Sequence, residues 1–145
     1  MDKNRLFRIM AHAPAESVIA LGQIIENGYT VKVLKEPQKA LAMIRIRESV
    51  KNSDFYLGEL LTCEAMVEIE GKKGVAVTMG DDFSKVLSMA VVDAADNAGL
   101  PELKRQIEPA LLNLERQWIQ RIEQENGMYL KTMVNFQSMD SEEPA

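Results

Sequence analysis

The stretch Leu60-Leu61-Thr62-Cys63-Glu64-Ala65-Met66-Val67-Glu68-Ile69-Glu70, then Gly71-Lys72-Lys73-Gly74, then Val75-Ala76-Val77-Thr78-Met79, sets the architecture. Leu61, Cys63, Ala65, Val67 and Ile69 alternate with Leu60, Thr62, Glu64, Met66, Glu68 and Glu70, the period of a strand with one apolar face. Gly71-Lys72-Lys73-Gly74 reads as a hairpin connection, and Val75, Val77 and Met79 as the apolar positions of the returning strand. The glycine-flanked lysines are not a phosphate loop, which needs G-x-x-x-x-G-K-[ST] between a strand and a helix. Sequential antiparallel pairing is the economical reading, with one face buried and the other partly wet.

Upstream, the chain opens with two helical segments. Asp2 is placed to cap the first, in which Leu6, Ile9, Met10 and Ala13 recur at helical spacing before Pro14 interrupts. The second carries Val18, Leu21, Ile24 and Ile25, and Asn27-Gly28 is expected to close it with glycine in a left-handed conformation. Val31 and Val33 then suggest a short strand ending before Pro37. Leu41 to Arg47 suggests another, followed by a polar loop around Lys51-Asn52-Ser53-Asp54.

Downstream of Gly80 the period returns to 3.6. Asp81 or Asp82 can cap a helix with inner stripe Phe83, Val86, Leu87, Ala90, Ala94 and Ala95, whose alanines permit close approach to the sheet. Gly99 and Pro101 end it. Pro109 predicts a kink or restart, and Leu111, Leu114, Trp118 and Ile122 mark a long amphipathic helix ending near Gly127. Met133-Val134-Asn135-Phe136 alternates like a short strand, and an acidic tail spans 140–145. The expected fold is α+β: N-terminal helices, an antiparallel sheet of about four strands, and C-terminal helices, in a single domain over 1–139.

Composition narrows the function. The chain has 145 residues, 46% apolar, with 22 acids against 17 bases and a net charge of −5. An acidic balance argues against nucleic-acid binding, which needs concentrated Lys and Arg. One cysteine, Cys63, and one histidine, His12, leave no disulfide framework and no metal-ligand set. No apolar run approaches the ~18 residues of a membrane span, and Met1-Asp2-Lys3-Asn4-Arg5 has no signal-peptide character, so a cytoplasmic location away from membranes is expected.

The candidate binding or partner-contact residues are few. Arg45 and Arg47, two residues apart, can grip a phosphate or carboxylate, or pair across strands with Glu64 or Glu68. Gly58 permits a bulge or a close backbone approach, and Glu59 puts a carboxylate at the margin of the apolar layer. Asp82 is a cap or an acid. His12 sits at a helix C-terminus, where a protonated imidazole favours the dipole. Cys63 reads as a core residue. Nine methionines and the Trp118 stripe exceed what a small core needs and point to subunit contacts. No residue is assigned a catalytic or metal-binding role.

The succession Phe55-Tyr56-Leu57-Gly58-Glu59, Gly80-Asp81-Asp82 and Ala90-Val91-Val92-Asp93-Ala94 resembles the PhnG family, accessory subunits of the carbon–phosphorus lyase. Ala11-His12 with Pro14-Ala15-Glu16, and Val134-Asn135-Phe136 with Met139, extend the resemblance from Arg5 to Met139. It implies a subunit acting with subunits I, H, L and J of a bacterial phosphonate-degrading complex. There an alkylphosphonate is attached to C1 of ribose 5-triphosphate, with ATP as substrate and adenine released. Nucleosidase chemistry belongs to subunit I and radical cleavage to subunit J, so this chain is expected to bind no cofactor and to be non-catalytic. The sequence departs from the family where Thr-Arg is replaced by Cys63-Glu64, Gly-Arg-Asp by Gly80-Asp81-Asp82, and a basic residue by Met133.

Two other readings compete. One is a self-associating domain that binds a small anion through Arg45 and Arg47, with a homodimer of the isolated chain left open. The other is an autonomous hydrolase using His12 with Glu59 or Asp82.

Overall fold

The computed structural model describes residues 1–47 and 54–139, with side chains described over 1–43 and 58–127. Of the loop expected around Lys51-Asn52-Ser53-Asp54, Asp54 opens a strand and the rest lies outside the described residues, as does the tail 140–145. Helices α1 (Lys3–His12) and α2 (Ala15–Gly28) lead into strands β1 (Lys32–Arg47), β2 (Asp54–Ile69) and β3 (Lys72–Met79). Helix α3 (Phe83–Ala98), a π-helical turn (Leu103–Ile107) and helix α4 (Glu108–Met139) complete the chain. The strands form one antiparallel sheet in the order β1-β2-β3. The fold is α+β, as the change of period from 3.6 to 2 and back requires.

Helix α3 is the axis of the core. Val86, Met89, Val91, Val92 and the alanines at 90, 94 and 95 are all buried, between the sheet on one side and α2 on the other. A helix buried nearly all round needs little more than apolar and small residues. Asp82 caps it, its Oδ1 accepting the backbone N–H of Lys85 at 3.1 Å, and Gly99 closes it in the left-handed region at φ 67°. Cys63, Ala65, Val67 and Ile69 of β2 face α3 and are buried, so the alternation identified the core face.

Five expectations are corrected. The two strands anticipated between Val31 and Arg47 are one 16-residue strand, giving three strands instead of about four. Pro37 does not divide it, because β1 is an edge strand and register shifts between Val33 and Lys35 and between Lys35 and Gln38 absorb the irregularity. The hairpin turn is centred on Glu70 (φ 50°) and Gly71 (φ 79°), joining the paired residues Ile69 and Lys72, so both lysines belong to the strand. On β3 the buried residues are Gly74 and Ala76, while Val75, Val77 and Met79 are exposed. The apolar side chains were expected inside, but α3 lies too close to admit anything large. A Cβ on Gly74 would stand 2.2 Å from the Ala90 carbonyl oxygen and 2.3 Å from the Ala94 backbone nitrogen.

The fourth correction concerns the C-terminal segment. Met133 to Phe136 is helical, since α4 passes through Gly127 and runs to Met139. A four-residue alternation cannot by itself outweigh the propagation of a helix already formed. One interior glycine costs only about 1 kcal/mol, too little to stop it. The irregularity expected from Pro109 is the π turn just before it, in which Glu108 N–H bonds to the Leu103 carbonyl. Gly28, expected in a left-handed cap, is not among the positive-φ glycines; the chain leaves α2 through an extended Tyr29 (φ −138°).

Candidate functional site

Two regions hold the candidate residues. The first is a two-stranded ribbon. β3 pairs only with Thr62–Ile69, whereas β1 accompanies β2 from Glu68 to Asp54, so the hairpin continues past the three-stranded sheet. Gly58 lies on this extension opposite Ile44, and Glu59 lies opposite Met43. The pairing skips Leu57 between Ile44 and Arg45, so the bulge expected near Gly58 is present. Gly58 is not there for space, since a Cβ would meet nothing within 4 Å. Arg45 pairs with Tyr56 and Arg47 with Asp54 in the backbone register, but their side chains lie outside those described. Leu61 pairs with Leu41 and, with Met43, stays exposed at 40%, 64% and 55% although on the face that buries Cys63 deeper in the sheet.

The second region is the end of α1. The His12 ring stacks on Trp118 of α4, with centroids 4.1 Å apart and planes inclined by 20°. Its Nδ1 donates to the Arg8 carbonyl at 2.9 Å, and Arg121 donates to the His12 carbonyl at 3.3 Å. A shallow cavity of about 230 Å³ opens here, lined by His12, Trp118, Arg121, Ile122 and Glu125. With Nδ1 committed to a carbonyl, only Nε2 remains for a further hydrogen bond.

Asp82 belongs with the structural set. Its carboxylate caps α3, and its carbonyl accepts the Cys63 thiol at 3.7 Å. Burial, reinforced by Asp82 and Asp81, pushes the Cys63 thiol up, which keeps it unreactive. The N-terminal end of α3 also gathers α1: Lys85 Nζ donates to the carbonyls of Ala11 and Ala13, both at 2.9 Å. Burial lowers the Lys85 pKa against the opposing attraction of Asp82.

The reading of the sequence singled out no role for Asp93, yet it is the most consequential buried acid. One carboxylate oxygen accepts the Val75 N–H at 3.0 Å and the other pairs with Lys3. Lys3 also pairs with Asp96 at 2.7 Å. Burial works against its charge, but Asp93 and Asp96 outweigh it and hold the Lys3 pKa above the ordinary lysine value. Asp93 is reachable from sequence only as a lone acid on a helix of small apolar residues. Among the described residues, no group of His, Cys, Asp and Glu could hold a metal.

The geometry therefore separates what builds the fold from what is left over. Gly80, Asp82, Ala90, Asp93 and Ala94 are occupied in turns, caps and close packing. The Gly58-Glu59 segment is not, and His12 is only partly so, through Trp118 and the Arg8 carbonyl. Against this background, a family model described as phosphonate metabolism protein PhnG matches residues 1–140. The chain belongs to the PhnG family. The match agrees in extent with the motifs quoted from the sequence, and it places the protein in phosphonate metabolism. No curated protein matches the chain. No helix among the described residues is long and apolar enough to cross a membrane.

Proposed function

We propose that this PhnG-family chain is a non-catalytic subunit of the carbon–phosphorus lyase system, acting with subunits I, H, L and J. It assists the step that attaches an alkylphosphonate to C1 of ribose 5-triphosphate, with ATP as substrate and adenine released. The observation that carries this reading is the family match over residues 1–140. The disposition of the side chains supports it. The surface offers apolar faces: Val75, Val77 and Met79 stand exposed on the side of the sheet away from α3. Such a face is what a larger subunit covers.

In this reading the outer sheet face and the Leu57-Gly58-Glu59 segment pack against a partner and shape that partner's active site. The chain itself breaks no bond. Mixing the purified partner subunits with ATP and methylphosphonate, with and without this chain, tests the proposal. Attachment of methylphosphonate to ribose 5-triphosphate that depends on adding the chain is expected; equal attachment in its absence overturns the assignment.

A further inference from the structure

The edge of β3 that faces away from β2 is closed along only part of its length. The Gly80 N–H bonds to the Leu61 carbonyl, and the β2–β3 register is regular. Backbone polar groups alternate in direction along an antiparallel ladder, so Lys73, Val75, Val77 and Met79 turn theirs outward. Helix α3 takes two of these groups: Asp93 holds the Val75 N–H and Asn97 the Lys73 carbonyl. From the Val75 carbonyl through both groups of Val77 to the Met79 N–H, none has a partner among the described residues. The side chains here are uncharged and exposed, Val75 at 42%, Val77 at 53% and Met79 at 69%. The opposite edge differs. The first half of β1 carries Pro37, Lys32, Lys35 and Lys39, with register shifts on both sides of Lys35. Proline, lysine and bulges are the devices that keep an edge from pairing, and residues 75–79 have none of them.

The open run is complementary to itself. Set antiparallel about a two-fold axis at Val77, two copies bring Val77 opposite Val77 and Val75 opposite Met79. Each Val77 N–H then donates to the other copy's Val77 carbonyl, and each Met79 N–H to the other copy's Val75 carbonyl. All four open groups are used. The ladder ends there, because Asp93 already holds the Val75 N–H. The same register sets Lys73 opposite Asp81 and Lys72 opposite Asp82, so the lysines at one end of β3 meet the aspartates beyond the other. A two-residue slip would place Lys73 opposite Phe83 or Met79 and lose that match. We infer that two copies of the chain join edge to edge through β3 in this register, fusing their sheets into one. The contact is isologous. It buries less than about 1,200 Å², which makes it a weak dimer that forms at high protein concentration.

The inference does not depend on the phosphonate reading, and its test uses the full chain alone. Sedimentation velocity should show the wild type passing from monomer to dimer as its concentration rises to hundreds of micromolar. Lys73→Glu sets an acid against Asp81 at both ends of the contact and should weaken the dimer at least about fivefold. Adding Asp81→Lys to that variant should restore it. Val77→Cys should crosslink two copies under mild oxidation, since the Cα atoms of a hydrogen-bonded pair stand about 5.5 Å apart, within reach of a disulfide. Val75→Cys, whose copies lie four residues apart along the ladder, should not. An unchanged far-ultraviolet circular dichroism spectrum is the control for folding. A wild type that stays monomeric throughout overturns the proposal. So does a double charge swap that fails to restore the dimer, and so does Val75→Cys crosslinking as readily as Val77→Cys.

Discussion

The carboxylate of Asp93, on α3, accepts the backbone N–H of Val75, on β3, at 3.0 Å. Two residues along the strand, Asn97 donates to the Lys73 carbonyl at 2.7 Å. Both groups belong to the side of β3 away from β2, so a helix caps part of a sheet edge that would otherwise invite another strand. Asp93→Ala leaves the Val75 donor without its partner and Lys3 with Asp96 alone, and should cost about 2 kcal/mol in urea denaturation. It should also raise the tendency to aggregate. Unchanged stability would mean that water replaces the carboxylate without loss.

Gly74 makes the same contact possible from below. Because its Cβ would overlap backbone atoms of Ala90 and Ala94, Gly74→Ala must push α3 off the sheet. A loss of about 3 kcal/mol is expected from the shift in the denaturant midpoint. A loss under about 1 kcal/mol would show that the helix and strand are not as close as described.

Much of this was legible in the sequence, and the failures have a common cause. The apolar alternation from Cys63 to Ile69, the Asp82 cap and the alanines of α3 are local signals that tertiary packing reinforces. On β3 the same rule misled: Val75 and Val77 are larger than Gly74 and Ala76, and size was taken for burial. The separation between sheet and helix, which no local pattern encodes, decided that the small residues turn inward. Pro37 was read as a stop because the sequence does not reveal that β1 is an edge strand. Of the candidate site, Asp82 proved to be a cap, while the His12 stack on Trp118 joins residues too distant in sequence for any spacing rule.

Glu70 holds a left-handed conformation (φ 50°) that costs a residue with a full side chain about 1 kcal/mol. Glu70→Asn, followed by Gly71, is the preferred pair for this kind of turn and should stabilise the protein by about 0.5–1 kcal/mol. A rise in thermal midpoint checks it.

Acid should weaken the fold. The Arg5 guanidinium holds the Glu115 carboxyl below the usual value of 4.5, and Lys35 with Gln38 does the same for Glu64, as the Tyr29 hydroxyl does for Glu102. A carboxyl whose folded pKa is depressed contributes stability that is present above the unfolded value and lost as pH falls through the folded one. These groups lie half-buried at the surface, where solvent screens the pairs, so each effect is small. Thermal midpoints at pH 7 and about pH 3 should differ, and Glu115→Gln should narrow the difference. An identical difference in the variant would remove Glu115 from the account.

The central claim is that this chain serves phosphonate chemistry only in the company of other subunits. The most direct test is attachment of methylphosphonate to C1 of ribose 5-triphosphate from ATP, followed by chromatography, for the chain alone, the partner subunits alone, and the two combined. The account predicts the methylphosphonate adduct only in the combined reaction. Adduct formed by the isolated chain, or formed equally well by the partners without it, would contradict it.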